Sequence, residues 1–501
     1  MTLLERITWH AAQRPDAGAL SWPGGTLGYA SLLASVEDAM AALSQRNVRV
    51  LALDLDNGPD WVVLDIAAMA LGLCVIPLPA FFSPAQLQHA LHSAGVEAVI
   101  TDAPSRLRMR AADSLAASET PFDVGSSALH WVATSADIGR VAIPTGVDKI
   151  TFTSGTTGAP KGVMLGWRQM RAVAISLVEA VRLTPLDVHL ALMPLAVLLE
   201  NIAGVYAPLW AGARVQLQPL AQVGMRGAAG VDGAQMCAAL RASCATTAIF
   251  TPQTLQALVE ARELEPASAA PLALRFAAVG GAPVSPRLLQ RATAVGLPVY
   301  EGYGLSECGS VVCLNTPQAN RPGSVGRPLP HVTLQITDDG EVVIEPLGFI
   351  AYLGEPPVAV NRWHSGDIGA CDADGYLYLQ GRRRNVFITA FGRNVAPEWV
   401  ERELTLEPVI VQAAVFGEAR PFNVAVLVVR DDSSAHELSA ALARVNRELP
   451  DYARVARWVI ADAPFSVANG CLTGTGRVRR EAVLAQYGDA IESLYLETQS
   501  L

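Results

Sequence analysis

The sequence predicts an α/β protein with a large N-terminal domain of helix-covered parallel sheets, a β-rich subdomain and a small α+β C-terminal domain. Three observations predict this fold class. Hydrophobic residues make up 51% of the 501 positions and charged residues 17%, which supplies a large buried core. Up to about residue 380, short apolar runs bounded by Gly, Pro and Asp alternate with helical patterns, as in parallel sheets covered by helices. Short alternating strands appear after about residue 330, and the pattern from Arg384 onward is α+β.

The elements of the first part follow from these runs in chain order. Segment 61–82 is long and apolar enough to cross a bilayer, but Asp65, Pro77 and Pro79 interrupt it. We therefore predict a buried helix over 61–71 and a buried strand over 74–78, with no transmembrane span. Residues 103–147 and 224–233 lack clear periodicity and are predicted to be surface loops. The other predictions are strands at 48–55, 98–101, 149–153, 188–193, 248–251 and 274–279, and helices at 84–94, 167–181 and 286–294.

The second part is divided by turn signals. Asp339-Gly340 and Asp374-Gly375 separate short runs of alternating apolar residues, which is typical of hairpin strands. The predictions are strands at 332–336, 341–344, 376–379, 410–415 and 423–429, and helices at 397–404 and 434–449.

Charge and cysteine content exclude several classes of protein. The net charge of −10 argues against a general nucleic-acid binder. The 7 cysteines form no CxxC pair, which favours reduced thiols and a cytoplasmic protein over disulfides or zinc. Glu5 and the lack of a long apolar core near the N-terminus predict no signal peptide.

A loop rich in glycine and hydroxyl residues follows the predicted strand 149–153. It reads Thr153, Ser154, Gly155, Thr156, Thr157 and Gly158, and Lys161 comes shortly after it. Glycines allow a backbone to approach a ligand closely, and successive N–H groups form a concavity that binds anions. The spacing differs from the Walker loop. A polyphosphate site is favoured here over a flexible linker.

A second motif follows the predicted strand 274–279. It consists of the turn Gly281-Ala282-Pro283 and the later run Glu301-Gly302-Tyr303-Gly304-Leu305-Ser306-Glu307. A tyrosine flanked by glycines suits stacking on a planar base. A hydroxyl beside a carboxylate suits phosphate together with Mg²⁺, which takes hard oxygen ligands. The alternative is a strand end with a tight turn.

A third motif places Asp367 after Ser365-Gly366, and Arg382 after Gly381. The carboxylate can accept two hydrogen bonds from a diol, and the guanidinium offers five donors. His364 is interpreted as structural. The basic cluster formed by Arg382, Arg383, Arg384 and Arg393 is either a solvated face or a phosphate-handling group.

Taken in chain order, these motifs resemble those of the adenylate-forming superfamily, which includes acyl-CoA synthetases, peptide-synthetase adenylation domains and luciferases. The resemblance implies a phosphate loop ending at Lys161, an adenine site at Gly281 to Pro283 with Tyr303 stacked on the base, and a ribose site at Asp367 and Arg382. It further implies that Ser306 touches the α-phosphate and that Glu307 holds Mg²⁺. The family often has Thr where Ser306 stands.

The resemblance also implies a mobile C-terminal domain. It places domain 1–384 before a hinge at Asn385, where Asp or Lys is usual, and a small domain over 386–501. Gly392 would lie in the loop that swings in for thioester formation. Arg477 stands where the family has its adenylation lysine; arginine keeps the charge but is bulkier and differently hydrated.

The acid pocket is expected around residues 193–201. This stretch is apolar until Glu200 and Asn201, and it resembles the fatty acyl-CoA ligase pattern Leu-Pro-Leu-Ala-His-x-Phe-Glu with Val197 in place of His. An apolar pocket favours an uncharged acyl or aryl tail, because burying an unpaired ammonium is costly. The alternative is that Val197 simply packs in the hydrophobic core.

The function expected from the resemblance is ATP-dependent activation of a hydrophobic carboxylic acid, with a fatty acid favoured, followed by transfer to CoA. ATP, Mg²⁺ and CoA are the expected cofactors. Carrier-protein phosphopantetheine as acceptor, an aromatic acid, and a non-catalytic acyl-adenylate-binding regulator remain alternatives. An acyl carrier protein and a peripheral membrane surface are left open as partners, and nucleic acid is not expected.

Overall fold

The computed structural model describes residues 1–125, 127–139, 141–153, 160–226, 230–265, 271–346, 348–358, 361–383, 385–391, 393–473 and 476–496. The chain divides into two compact units. Unit 1 comprises Met1–Gly281, Arg291–Leu334 and Ile344–Trp363, and unit 2 comprises Ala282–Gln290, Gln335–Val343 and His364–Leu501. The predicted domain boundary near Asn385 stays a prediction.

Several helices begin where the sequence provides a capping side chain or a proline. Ser83 caps one helix through Gln86 and Thr251 caps another through Thr254, each followed by proline at the first helical position. The α-helices of the described residues are α1 (Leu3–Gln13), α2 (Tyr29–Ser44), α3 (Pro59–Ala70), α4 (Pro84–Ser93), α5 (Pro104–Ala111), α6 (Trp167–Val181), α7 (Ala207–Ala211), α8 (Gly233–Ala242), α9 (Pro252–Leu264), α10 (Pro286–Ala294), α11 (Pro397–Leu404), α12 (Ala435–Glu448) and α13 (Arg480–Leu496). A π-helix spans Glu200–Tyr206, and short 3-10 helices lie at Ala112–Ser114, Leu220–Val223, Ser306–Cys308 and Asp451–Ala453.

The strands are mostly short and apolar. They are β1 (Gly18–Trp22), β2 (Gly25–Gly28), β3 (Val50–Asp54), β4 (Cys74–Pro77), β5 (Ala98–Thr101), β6 (Leu115–Phe122), β7 (Leu129–Thr134), β8 (Lys149–Thr153), β9 (Lys161–Leu165), β10 (Val188–Leu190), β11 (Arg214–Gln216), β12 (Met225–Arg226), β13 (Gly230–Val231), β14 (Thr247–Phe250), β15 (Phe276–Val279), β16 (Val299–Leu305), β17 (Ser310–Leu314), β18 (Arg327–Pro328), β19 (Thr333–Ile336), β20 (Glu341–Glu345), β21 (Ala351–Tyr352), β22 (Trp363–Cys371), β23 (Leu377–Arg382), β24 (Phe387–Ile388), β25 (Asn394–Val395), β26 (Ile410–Phe416), β27 (Asn423–Val429) and β28 (Val455–Ile460).

Unit 1 contains two large sheets. The 9-stranded sheet has the order β18-β17-β16-β15-β14-β10-β11-β1-β2, and its strands from β16 to β1 are parallel. The 8-stranded sheet has the order β21-β9-β8-β4-β3-β5-β7-β6, with β8, β4, β3 and β5 parallel. One hydrophobic core joins residues of both sheets with α2, α3 and α6. Because both faces of the parallel strands are covered, these strands read as continuous apolar runs.

Unit 2 contains a 3-stranded sheet in the order β26-β27-β28, which is covered on its two faces by separate cores. One core includes residues of α11 and α12, and the other includes residues of α13. The 4-stranded sheet β19-β20-β22-β23 lies largely in unit 2. The α/β fold class predicted from sequence is confirmed, including the β-rich part and the α+β C-terminal part.

Segment 61–82 folds as predicted, with α3 and β4 both buried. No helix of the described residues combines the length and apolarity that a membrane crossing needs.

The predicted loop over 103–147 is wrong, because α5, β6 and β7 lie there. β6 is an edge strand with a run of exposed residues, so its polar side chains hide the strand pattern. Two arginines of α5, Arg106 and Arg110, form ion pairs with Asp54 instead of providing an apolar stripe. The predicted loop over 224–233 is also wrong in part, since β12 and β13 form a hairpin within it.

Candidate functional site

Three sequence motifs follow the carboxyl ends of parallel strands in the 9-stranded sheet. Segment 193–201 comes after β10, the turn at Gly281 comes after β15, and Ser306-Glu307 comes after β16. Carboxyl ends of parallel strands meet at one edge of a sheet, the usual place for ligand sites in such folds. The fold therefore gathers these motifs at the same sheet edge.

The Gly/Thr loop connects two antiparallel strands of the 8-stranded sheet. Thr153 ends β8 opposite Lys161, which begins β9, and Thr153 Oγ1 donates to the Lys161 carbonyl at 3.4 Å. Ser154, Gly155, Thr156, Thr157 and Gly158 lie outside the described residues. Lys161 is exposed, so its ammonium is accessible to an anion.

The second motif forms the last part of β16, with Tyr303 between two glycines. Gly304 admits no side chain, since a Cβ there would lie 1.6 Å from the carbonyl oxygen of Ser310 on β17. Gly302 is less restricted, with a Cβ position 3.0 Å from Leu314 Cδ1. Glu301 is buried, and its backbone oxygen accepts a hydrogen bond from the backbone N–H of Asn315 at 2.9 Å. Tyr303 itself is partly exposed.

The turn after β15 is exposed throughout Gly281, Ala282 and Pro283. Gly281 has a φ of +82°, a left-handed conformation that favours glycine. The division between the two units falls directly after this residue.

Glu307 lies in the short 3-10 helix Ser306–Cys308, and a residue that we did not single out from sequence orients it. The hydroxyl of Tyr352 on β21 donates to Glu307 Oε1 at 2.7 Å. The Lys161 ammonium lies 4.7 Å from the centroid of the same tyrosine ring. The structure thus brings Lys161 and Glu307 together around Tyr352. No sequence signal marked Tyr352, since one aromatic residue in a short strand has no diagnostic pattern.

A magnesium ion fits this donor set. The described residues contain no group of three or more His, Cys, Asp or Glu side chains that could hold a metal alone. Magnesium is commonly bound through one or two carboxylates together with substrate phosphates and waters. Glu307 offers one such carboxylate, so the residues present suit an ion that arrives with phosphate oxygens.

Asn57 holds the segment that the sequence predicts to line the acid pocket. Its amide donates to the Met193 carbonyl at 2.8 Å, and its amide oxygen accepts from the Leu195 N–H at 2.8 Å. Val197 is half-buried on this segment. Glu200 is fully buried; its Oε1 accepts from His189 Nε2 at 2.8 Å and its Oε2 accepts from the Met193 N–H at 3.1 Å.

Asn201 belongs to a buried charged network beneath the same segment. Lys149 Nζ donates to Asp65 Oδ1 at 2.7 Å, to Tyr206 Oη at 2.8 Å and to Asn201 Oδ1. Burial lowers the pKa of Lys149, and Asp65 opposes that shift. Burial also raises the pKa of Tyr206 well above its ordinary value. Asn201 and Tyr206 belong to the π-helix, and Lys149 begins β8. The network therefore connects the π-helix to the strand that leads to the Gly/Thr loop.

In unit 2, Asp367 on β22 and Arg382 on β23 are cross-strand partners. Arg382 Nε donates to Asp367 Oδ1 at 2.9 Å, and Asp367 is 5% exposed. Ser365 Oγ accepts from the Asp367 N–H at 3.0 Å and fixes the backbone there. Arg383 instead forms ion pairs with Asp339 and Glu341.

Arg477 is exposed in a tight loop closed by local contacts. Its N–H donates to Thr473 Oγ1 at 3.0 Å, and its carbonyl accepts from the Thr473 N–H at 2.7 Å. Residues Gly474 and Thr475 of this loop lie outside the described residues, as does Gly392 between β24 and β25.

Three residues after Arg477, Arg480 begins α13 and contacts two carboxylates of α11. Arg480 Nη1 lies 3.1 Å from Glu398 Oε1, and Nη2 forms an ion pair with Glu401. Asn385 also donates to Glu398. Burial raises the pKa of Glu401 from 4.5 to about 7, against the opposing effect of Arg480.

Comparison with protein families gives two matches. Residues 7–350 match the family described as AMP-binding enzyme, and residues 385–499 match the AMP-binding enzyme C-terminal domain.

Similar curated proteins include ligases of several acids. The long-chain-fatty-acid–CoA ligase FadD15 of Mycobacterium bovis is 31% identical over 253 residues, and the match covers 44% of this chain and 42% of FadD15. The chain thus spans less than half the length of that relative. The fatty acid–[acyl-carrier-protein] ligase MmaC of Mycobacterium marinum is 28% identical over 537 aligned positions that cover 97% of both chains. The 2-succinylbenzoate–CoA ligase of Bacillus cereus is 32% identical, with 54% of this chain and 56% of the relative covered.

Similar solved structures share the fold at low sequence identity. The anthranilate CoA ligase AuaEII in complex with anthranoyl-AMP has a TM-score of 0.78 at 17% identity and covers 97% of each chain. The o-succinylbenzoate CoA synthetase MenE of Bacillus subtilis, in complex with ATP and magnesium ion, has a TM-score of 0.74 at 21% identity and covers 95% of this chain and 98% of MenE.

Proposed function

This chain belongs to the AMP-binding enzyme family, and we propose that it activates a hydrophobic carboxylic acid with ATP and then transfers the acyl group to a thiol. The acid carboxylate attacks the α-phosphate of ATP, which gives an acyl-adenylate and releases pyrophosphate. A thiolate then attacks the acyl carbonyl carbon, which gives a thioester and releases AMP. The observation that carries this proposal is the meeting of Lys161 and Glu307 around Tyr352.

Residues of unit 1 serve the triphosphate in this proposal. Lys161 and the donors from Thr153 to Gly158 bind phosphate oxygens, Ser306 contacts the α-phosphate, and Glu307 holds Mg²⁺. When bound, Mg²⁺ neutralises the charge that develops on the phosphate oxygens. Fixed donors and cations that face this charge lower the barrier, because they need no reorganisation during the reaction.

Nucleoside recognition is assigned to residues of the second and third sequence motifs. Tyr303 and the Gly281 to Pro283 turn contact the adenine, with Glu301, Gly302 and Gly304 shaping the strand beneath it. Asp367 accepts hydrogen bonds from the ribose diol, and its contact with Arg382 supports this role by fixing one carboxylate oxygen. Arg477 serves the adenylation step and Gly392 the thioester step.

An uncharged acid is favoured by the contacts of the pocket segment. Glu200 is fully buried and both its oxygens accept hydrogen bonds within the protein, so this carboxylate is not exposed to a substrate ammonium. Val197 is half-buried and apolar at the position expected to line the pocket. A fatty acid is the favoured substrate, with Glu200 and Asn201 supporting the segment from the buried side.

Pyrophosphate exchange tests this proposal. The intact chain is incubated with ATP, MgCl₂ and labelled pyrophosphate, with octanoate, longer fatty acids, benzoate or free amino acids added in turn. We expect the apolar acids to drive exchange and the amino acids to leave it at background. Exchange with an amino acid and none with the apolar acids contradicts the substrate assignment. No exchange with any acid favours the non-catalytic acyl-adenylate-binding regulator.

CoA is the proposed thiol, and carrier-protein phosphopantetheine is a second candidate. The second is supported by MmaC, an acyl-carrier-protein ligase that aligns over 97% of both chains. Parallel reactions with CoA and with holo acyl carrier protein distinguish them, since the acceptor with the higher kcat/KM identifies the thiol.

A further inference from the structure

Tyr352 contacts residues from two separate motifs. Its hydroxyl donates to Glu307 Oε1 at 2.7 Å, and its ring centroid lies 4.7 Å from Lys161 Nζ. Glu307 follows β16 of the 9-stranded sheet, whereas Lys161 begins β9 of the 8-stranded sheet. Tyr352 therefore connects groups carried by different sheets of unit 1.

Strand pairing explains how Tyr352 reaches Lys161. β21 pairs with β9 in antiparallel orientation, with Tyr352 opposite Val163. Lys161 precedes Val163 by two residues and so shares its face of the sheet. Diagonal neighbours on one face are within reach of aromatic and long side chains. The register of β21 on β9 thus places the Tyr352 ring within reach of Lys161.

Neighbouring aromatic side chains fix the orientation of the tyrosine ring. Phe349 lies 5.0 Å and Trp363 6.0 Å from it, measured between ring centroids, and both meet it edge-on. Such arrangements are favourable for aromatic pairs. A fixed ring also fixes where the hydroxyl and the ring face can act.

We propose that Tyr352 is a positioning residue that prepares Glu307 and Lys161 for a nucleoside triphosphate and its divalent cation. The proposal rests on the function proposed above. A free glutamate loses rotamer freedom when it binds a metal, and the Tyr352 hydroxyl removes part of that freedom beforehand. The ring face attracts the lysine ammonium, so the side chain that orients Glu307 also holds Lys161 in place.

Calorimetric titration with ATP tests the two contacts separately, without acid or thiol. Each titration is run once in MgCl₂ and once in EDTA. Tyr352→Phe keeps the ring and loses the hydroxyl, so we expect about tenfold weaker binding in MgCl₂ and unchanged binding in EDTA. Tyr352→Leu also loses the ring that holds Lys161, so binding weakens in both conditions.

Tyr378→Phe is the matched control, since it removes a hydroxyl that donates to Asp372 Oδ2 at 3.3 Å elsewhere in the chain. It should bind ATP like the parent chain in both conditions. A merely structural role for Tyr352 would weaken binding equally with and without magnesium. Equal weakening, or none, by Tyr352→Phe overturns the positioning role. A parent chain that binds no ATP overturns the proposed function as well, so the two failures are distinguishable.

Discussion

Lys161 and Arg477 are cationic side chains on which the proposed chemistry depends, and they are held in different ways. Lys161 begins a strand whose partner, β8, is anchored at its far end by the buried Lys149–Asp65 ion pair. Arg477 lies in an exposed loop closed by hydrogen bonds to Thr473. The proposed phosphate site of unit 1 is thus built on a strand pair with a buried anchor, whereas Arg477 is placed by a short local loop next to the Arg480 contacts.

Removing the buried Lys149–Asp65 ion pair of unit 1 should have the largest effect, a loss of stability. Asp65→Ala leaves the buried Lys149 without its carboxylate partner, and loss of one partner of a buried ion pair typically costs about 3–5 kcal/mol. The free energy of unfolding of unit 1 is measured by urea denaturation. Arg362→Ala is the control within unit 1, because its ion pair with Glu345 is largely exposed and such pairs contribute about 0–1 kcal/mol. Similar losses in the two variants would show that the buried network is not an anchor.

Removing the charge of Arg477 should affect one half-reaction only. Loss of a transition-state donor typically costs about 10²–10³-fold in rate, and we expect this for Arg477→Ala in acyl-adenylate formation. Transfer from preformed acyl-adenylate to thiol should stay near the parent rate. Arg430→Ala, at another exposed arginine of unit 2, should leave both steps unchanged. Equal loss in both half-reactions, or in neither, removes Arg477 from the adenylation step, and an Arg477→Lys variant as fast as the parent supports it.

Asp367→Ala tests the proposed ribose site, which lies in unit 2 like Arg477. It should weaken ATP binding by about 1.5–3 kcal/mol for each charge-assisted hydrogen bond lost. Equilibrium dialysis with ATP measures this, with Asp374→Ala in the nearby turn as a control that should bind normally. Unchanged affinity in a folded Asp367→Ala chain excludes this residue from the ribose site.

The smallest expected effect is a change of stability with pH at Glu401, which forms an ion pair with Arg480 close to the Arg477 loop. The pKa of Glu401 is raised to about 7 in the folded chain, so the folded state binds a proton more tightly than the unfolded state. Its contribution to stability is therefore present at low pH and is lost as pH rises through about 7. The glutamine side chain in Glu401→Gln does not titrate, so this pH-dependent contribution to stability is absent in the variant. Hydrogen exchange of residues 397–415, compared between variant and parent at each pH, should show the parent losing protection relative to the variant as pH rises. Parallel profiles would contradict the assignment.

Much of the fold could be predicted from sequence, because apolar runs and caps are local signals. The predicted strands at 98–101, 149–153 and 423–429 have the bounds found in β5, β8 and β27. The edge strand β6 was missed because its exposed face carries polar residues. Burial on both faces identifies central strands well, and an edge strand provides no such signal.

The site could be predicted only where a motif marked it. Lys161 and Glu307 were found through their glycine-rich neighbours, but their meeting depends on Tyr352, which comes from a third segment. The contacts of Asn57 with Leu195 and of Asp65 with Asn201 were likewise not predicted, since these partners are distant in sequence. Contacts of this kind depend on tertiary packing, which no local pattern records.

In the proposed reaction, the acid carboxylate attacks the α-phosphate of ATP. Octanoate labelled with ¹⁸O in both carboxylate oxygens tests it most directly, in a reaction with ATP, MgCl₂ and CoA analysed by mass spectrometry. One carboxylate oxygen bridges carbon and phosphorus in the acyl-adenylate, and it leaves with phosphorus when the thiolate attacks the carbonyl. We expect AMP that carries one ¹⁸O atom, together with octanoyl-CoA. Unlabelled AMP, or ADP with labelled inorganic phosphate, would contradict it.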